Sequence, residues 1–199
     1  PRLAFISYPY EWTFAGIKAA ALCHLDIHLR ALARDVTLSD ASAYNIQFLG
    51  PEPVFIDHLS FRRYRPGEYW VGHQQFCQQF LNPLLLRSTT GVAHNAWYRG
   101  SQEGIGVVEL NSLLPLRSKF SWKVLAHVVL QARLQSTGAR RESRASFTSR
   151  PLPKTAFVGM LTSLRRALAQ YAIGDDEKGD DGEIVAPIEE LVVALLQAI

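Results

Sequence analysis

The chain has 199 residues, 48% of them hydrophobic, enough for one respectable core and, by length, for one domain or one domain with an appendage. Lys and Arg number 21 against 18 Asp and Glu, and a formal net charge of +3 is too small to argue for nucleic acid as a partner. No apolar run reaches the roughly 18 residues that span a bilayer, and Pro1-Arg2-Leu3 opens no signal-peptide pattern, so the expectation is a cytoplasmic chain without a membrane partner. Cys23 and Cys77 have no CxxC spacing and read as buried free thiols in a reducing compartment. The missing initiator Met points to a piece of something longer.

In chain order, Leu3 to Ser7 is a short apolar run that enters Tyr8-Pro9-Tyr10-Glu11-Trp12, a strand or linker broken by its proline. From Thr13, a suitable N-cap, Ile17, Ala21, Leu25, Leu29 and Leu32 recur at helical spacing through Asp35. His24 and His28 stand four apart, the spacing of a metal pair, but no third ligand accompanies them, so they read as semi-exposed or capped.

A polar loop and a tight hairpin follow, over 38–58. Phe48 and Val54 flank a turn made by Gly50, Pro51 and Pro53, and pairing them places Asn45 opposite Asp57. Asp40 lies five residues before Asn45, near enough to fold back to the same mouth. Two carboxylates and an amide there form a candidate cation or phosphate site. The structural alternative is that Asp40 caps a turn while Asn45 and Asp57 satisfy backbone groups.

Arg62, Arg63 and Arg65 precede a Pro66-Gly67 turn and read as a solvated loop face before an anion site. A second helical pattern runs from Glu68 through Trp70, His73, Phe76, Cys77, Phe80 and Leu81, stopping near Asn82-Pro83. Residues 89–106 form a glycine-punctuated stretch. Gly100, Gly104 and Gly106 lack the preceding strand and the following Lys-Ser or Lys-Thr of a phosphate loop. Val107 to Leu116 reads as a short helix or turn, and Phe120 to Leu134 as a helix.

The fold class expected is mainly α with a small β-hairpin (α+β). Its parts are a helical lobe over 1–134 containing the hairpin 45–57, a basic linker 135–154, a packing helix 155–172, an acidic linker 173–183 and a terminal helix 184–199. In the packing helix Phe157, Met160, Leu161, Leu164 and Leu168 face inward, and Arg165 and Arg166 outward. The acids of the second linker miss the offsets of a calcium loop.

Two resemblances bear on function. Ser7 to Trp12, Leu38 to Phe48, Val54 to Asp57 and Phe76 to Leu84 resemble the N-terminal region of bacterial class I S-adenosylmethionine-dependent methyltransferases, a group that includes nodulation-protein relatives. The likeness extends over about residues 3–170. It implies S-adenosylmethionine as cofactor of the full-length family, bound at an Asp-x-Gly-x-Gly loop after a strand. This chain has no such loop, so no cofactor-binding residue is carried over. The resemblance implies a module that supports or presents substrate to a missing or downstream methyltransferase domain.

The order Asp40, Asn45, Asp57 also resembles the layout of kinase-like phosphotransferases, whose helical C-terminal lobe the chain is similar to. That likeness implies Asp40 as the catalytic residue and Asn45 with Asp57 as magnesium ligands. Leu38-Ser39 stands where those families carry His and Arg or Gly, and Asp57-His58-Leu59 replaces Asp-Phe-Gly. Neither a glycine-rich strand loop nor a strand lysine precedes them.

Overall fold

Thr13 opens the longest helix as expected: its hydroxyl accepts the Gly16 N–H at 3.1 Å, satisfying one of the free donors of the first turn of α1 (Phe14–Leu32). The structure, a computed structural model, describes residue 3 and residues 5–114 and 151–171. Helix α1 turns Ile17, Ala20, Ala21, Leu25 and Leu32 fully inward. Its small residues let other elements approach closely.

Asp35, in a left-handed turn at φ 56°, reverses the chain into β1 (Val36–Leu38). A hairpin of β2 (Ile46–Leu49) and β3 (Glu52–Phe55) follows, and then β4 (Phe61–Arg63) returns to pair antiparallel with β1, Leu38 opposite Phe61. The result is two separate two-stranded ladders. Only one was visible in the sequence, because three-residue strands carry no usable alternation.

The hairpin register differs from expectation by one residue. Gln47, not Phe48, stands opposite Val54, and Ile46 stands opposite Phe55. Gly50, at φ 60°, and Pro51 make a two-residue turn, so Pro53 belongs to the strand. Asn45 therefore meets Ile56 instead of Asp57, its carbonyl accepting the Ile56 N–H at 2.8 Å.

The second helical run begins at His73, five residues later than expected, because the chain first passes through the Pro66-Gly67 turn and Gly72. It is continuous through α2 (His73–Phe76), a π-helical turn (Cys77–Leu81) and α3 (Asn82–Thr90), ending at the left-handed Gly91. Proline explains the π turn. Pro83 has no N–H to return to the Gln79 carbonyl and its ring crowds that turn, while Asn82 N–H reaches back to Cys77. The released carbonyls are served from outside: Gln78 accepts the Ile105 N–H at 3.0 Å, and Gln79 accepts the Tyr98 hydroxyl.

Those donors come from the glycine-punctuated stretch, which contains a helix that the sequence left unassigned, α4 (Asn95–Gly100), ahead of α5 (Val107–Leu113). Asn95 binds α4 to the N-terminal segment by donating to the carbonyls of Tyr10 and Trp12 at 2.8 and 3.0 Å. Finally α6 (Lys154–Ala169) lies along α1 and buries Phe157, Leu161, Leu164 and Leu168. Arg165, expected to face outward, forms a two-pronged ion pair with Asp26 of α1. Pro151 to Pro153 are extended, with Leu152 N–H donating to the Gly67 carbonyl at 3.1 Å. The expected helix over 120–134, most of the basic linker, the acidic linker and the terminal helix lie outside the described residues.

The fold class is as expected, mainly helical with small two-stranded sheets. Among the described residues no helix is long and apolar enough to cross a membrane.

Candidate functional site

Asp40 sits on the loop between β1 and the one-turn helix Ala43–Asn45, and Asn45 closes that turn. Five residues of separation let the loop fold back, and Asn45 Nδ2 donates to Asp40 Oδ1 at 2.8 Å. Asp57 comes from beyond β3, where the chain reverses in a turn fastened by Leu59 N–H donating to Asp57 Oδ1 at 2.9 Å. That reversal offsets the one-residue change of register. It brings the Ser60 hydroxyl against both Asp57 and Asn45 Nδ2, so Asp57 reaches the cluster across the turn instead of across the hairpin.

Ser60 is the residue around which the three expected site residues meet. Its hydroxyl, on a side chain 2% exposed, lies 2.9 Å from Asp40 Oδ1, touches Asp57 Oδ2 and stands 3.4 Å from Asn45 Nδ2. Its carbonyl accepts the Ser39 N–H at 2.8 Å, tying the turn to the Asp40 loop. The Ser60 hydroxyl beside Asp57 holds that carboxyl below its ordinary range, aided by backbone N–H donors and opposed by partial burial. The sequence contained a weak signal for Ser60 in the Asp57-x-x-Ser60 spacing, but its second acceptor, Asp40, is far away in the chain.

Two hydrogen-bonding glutamines were also missed. Gln75 Oε1 accepts the Ala41 N–H at 2.8 Å, and Gln79 Oε1 accepts the Ala43 N–H at 2.7 Å. In sequence they look like polar interruptions of an aromatic stripe.

Among the described residues, neither Asp40 nor Asp57 has an ion-pair partner. The nearby arginines do not serve them: Arg62 is committed to Glu68 at 2.8 Å. Among the described residues the hydrogen bonds to the two carboxylates come from neutral donors, and the charge of the neighbouring His58 is a smaller cause of the lowered Asp57 carboxyl. With Asn45 Nδ2 turned to Asp40, Asn45 Oδ1 and the Asp57 carboxylate are oxygen ligands of the hard type that magnesium takes.

The histidine pair behaves differently from expectation. His24 and His28 are both fully buried, not semi-exposed, with ring centroids 6.2 Å apart. Phe55, Trp70, Phe76 and Phe80 surround His24. Burial lowers its pKa to about 4, offset in small part by the Asp40 main-chain carbonyl. Burial first, then the charges of His24 and Arg62, lower His28 to about 3, and its Nε2 lies 2.8 Å from Thr37 Oγ1. Both are neutral core residues. No group of three or more His, Cys, Asp or Glu among the described residues is arranged to hold a metal. Cys77 is buried as expected and in no disulfide, its Sγ 3.7 Å from His73 Nε2, whereas Cys23 is only half-buried.

The fold and site define a small α+β module bearing a carboxylate–amide cluster at a hairpin mouth. It is similar to part of nodulation protein NoeA from Rhizobium meliloti (strain 1021), with 51% identity over 166 residues that cover 82% of this chain. The chain spans about a third of that relative's length, 35%. No family model matches the chain, and no solved structure matches it.

Proposed function

We propose that this chain is a substrate-presenting module of a methyltransferase-class protein related to NoeA, with its working centre at Asp40, Asn45, Asp57 and Ser60. The observation that carries the reading is the meeting of two carboxylates on one hydroxyl, neither of them in an ion pair among the described residues. Such a centre takes a divalent cation through Asp57 and Asn45 Oδ1, and leaves Asp40 to orient a substrate hydroxyl by accepting its proton in a hydrogen bond. Ser60 shows that the pair accommodates a hydroxyl. The methyl donor belongs to another part of such a protein, since this sequence has no Asp-x-Gly-x-Gly loop. Titration of the full chain with Mn²⁺ and with S-adenosylmethionine tests both halves. Cation binding that Asp57→Ala abolishes, with no donor binding, is the expected result; a tight donor isotherm, or no cation binding at millimolar Mn²⁺, refutes it.

The convergence itself also favours a second reading, phosphoryl transfer. There Asp40 accepts the nucleophile's proton, and Asn45 with Asp57 hold magnesium on nucleotide phosphates. Magnesium-dependent ATP binding lost in Asp57→Ala supports it. Absence of binding at millimolar ATP ends it.

A further inference from the structure

The Asp40 loop is held from behind by one face of the second helical run. Gln75 receives Ala41 N–H at 2.8 Å, and Gln79 receives Ala43 N–H at 2.7 Å and the Ser42 hydroxyl at 3.4 Å. Gly72 lies directly against the same loop: a Cβ there would stand 2.9 Å from Ala41 Cβ and 3.0 Å from the Asp40 carbonyl carbon. The loop has no ladder of its own between β1 and β2, so these contacts, together with the Ser39 N–H bond to the Ser60 carbonyl, decide where its backbone sits.

Gln79 lies within the π turn, which fixes its direction. Its amide is oriented from both ends, because Nε2 donates to the Gln102 carbonyl at 3.3 Å while Oε1 faces the loop. Residues 102–105 form a strap over the turn: Ile105 N–H donates to Gln78, and Asn82 Nδ2 donates to the Ile105 carbonyl at 2.8 Å. Gly104 permits that approach.

We infer that Gln75 and Gln79 are positioning residues, which hold the Asp40 loop so that Asp40 can accept from Asn45 and leave Asn45 Oδ1 free for a cation. The role in binding rests on the cation reading given above; the role in placing Asp40 does not. Groups that orient ligands in this way typically change metal affinity ten- to a hundredfold when lost.

The experiment uses the full chain, ¹⁵N-labelled, as wild type and as Gln79→Ala, Gln75→Ala and Gln74→Ala. Gln74 is exposed on the same helix and serves as control. Two quantities are read: the Asn45 side-chain NH₂ shift with its exchange rate, and Mn²⁺ affinity. Expected are a changed shift and faster exchange of the Asn45 amide in both Gln79→Ala and Gln75→Ala, with Mn²⁺ affinity about tenfold or more weaker and no change in Gln74→Ala. If either folded variant keeps the wild-type Asn45 signals, the inference is overturned for that glutamine. If Gln79→Ala does not fold, Gln75→Ala still decides. Wild type that fails to bind Mn²⁺ removes the cation reading alone, because the Asn45 amide reports the placement of Asp40 without any metal.

Discussion

Tyr98→Phe tests the link between the π turn and the strap. The Tyr98 side chain is 1% exposed, and its hydroxyl donates to the carbonyl of Gln79, the group that Pro83 cannot serve. Removing the hydroxyl alone leaves ring packing intact and strands a buried carbonyl, at a cost of about 1–3 kcal/mol. With a urea dependence of about 1–3 kcal/mol per molar, the midpoint of equilibrium unfolding falls by roughly 1 M at unchanged slope. Pro83→Ala restores an N–H in the same turn and gives the carbonyl another donor. The cost of Tyr98→Phe should therefore shrink in that background, with a coupling of about 0.5 kcal/mol or more. A Tyr98→Phe protein within about 0.3 kcal/mol of wild type, or one equally costly in both backgrounds, would refute the account of the π turn.

Three further outcomes follow from particular contacts. His24 and His28 have folded pKa values of about 4 and about 3, below the ordinary histidine value of 6.5, so the fold favours their neutral forms. Their contribution is complete above about pH 6.5 and is lost as pH falls below it, by up to about 1.4 kcal/mol per pH unit for each histidine. Urea unfolding across this range should show that acid limb, and His24→Leu should make it shallower without removing it, since His28, His73 and His94 are depressed as well; a flat wild-type profile contradicts the burial argument. Gly104→Ala combines φ +81° with a Cβ 2.3 Å from the Gln78 carbonyl oxygen, and should cost more than about 1 kcal/mol. A thermal midpoint equal to wild type would show that the strap does not sit so close. Ser60→Ala should raise the Asp57 carboxyl toward the ordinary range, read by ¹³C titration, since the Ser60 hydroxyl is the largest cause of its depression. An unmoved Asp57 would place the hydroxyl elsewhere.

Local patterns in the sequence carried α1 and its Thr13 cap, the existence of the hairpin and the packing face of α6. Each depends on short-range physics: helical spacing of apolar side chains, a hydroxyl three residues before an N–H, or a Gly-Pro turn. The tertiary structure decided what local pattern leaves open. Hairpin register turned on one residue: the expected turn ran through Pro53, whereas the chain closes it with Gly50 and Pro51 alone. The β1–β4 pairing joins segments 23 residues or more apart through strands too short to show alternation. The histidines were drawn into an aromatic core because α2, the π turn and β3 pack over α1, which no spacing on α1 announces. Ser60, Gln75 and Gln79 acquired their roles only when distant loops met, since a hydrogen-bond partner chosen in three dimensions leaves no period in the chain. The sequence by itself supplied Asp40, Asn45 and Asp57 as polar side chains around a hairpin; folding decided that they meet about Ser60 and how they are held, because the groups that hold them come from elements far apart in the chain.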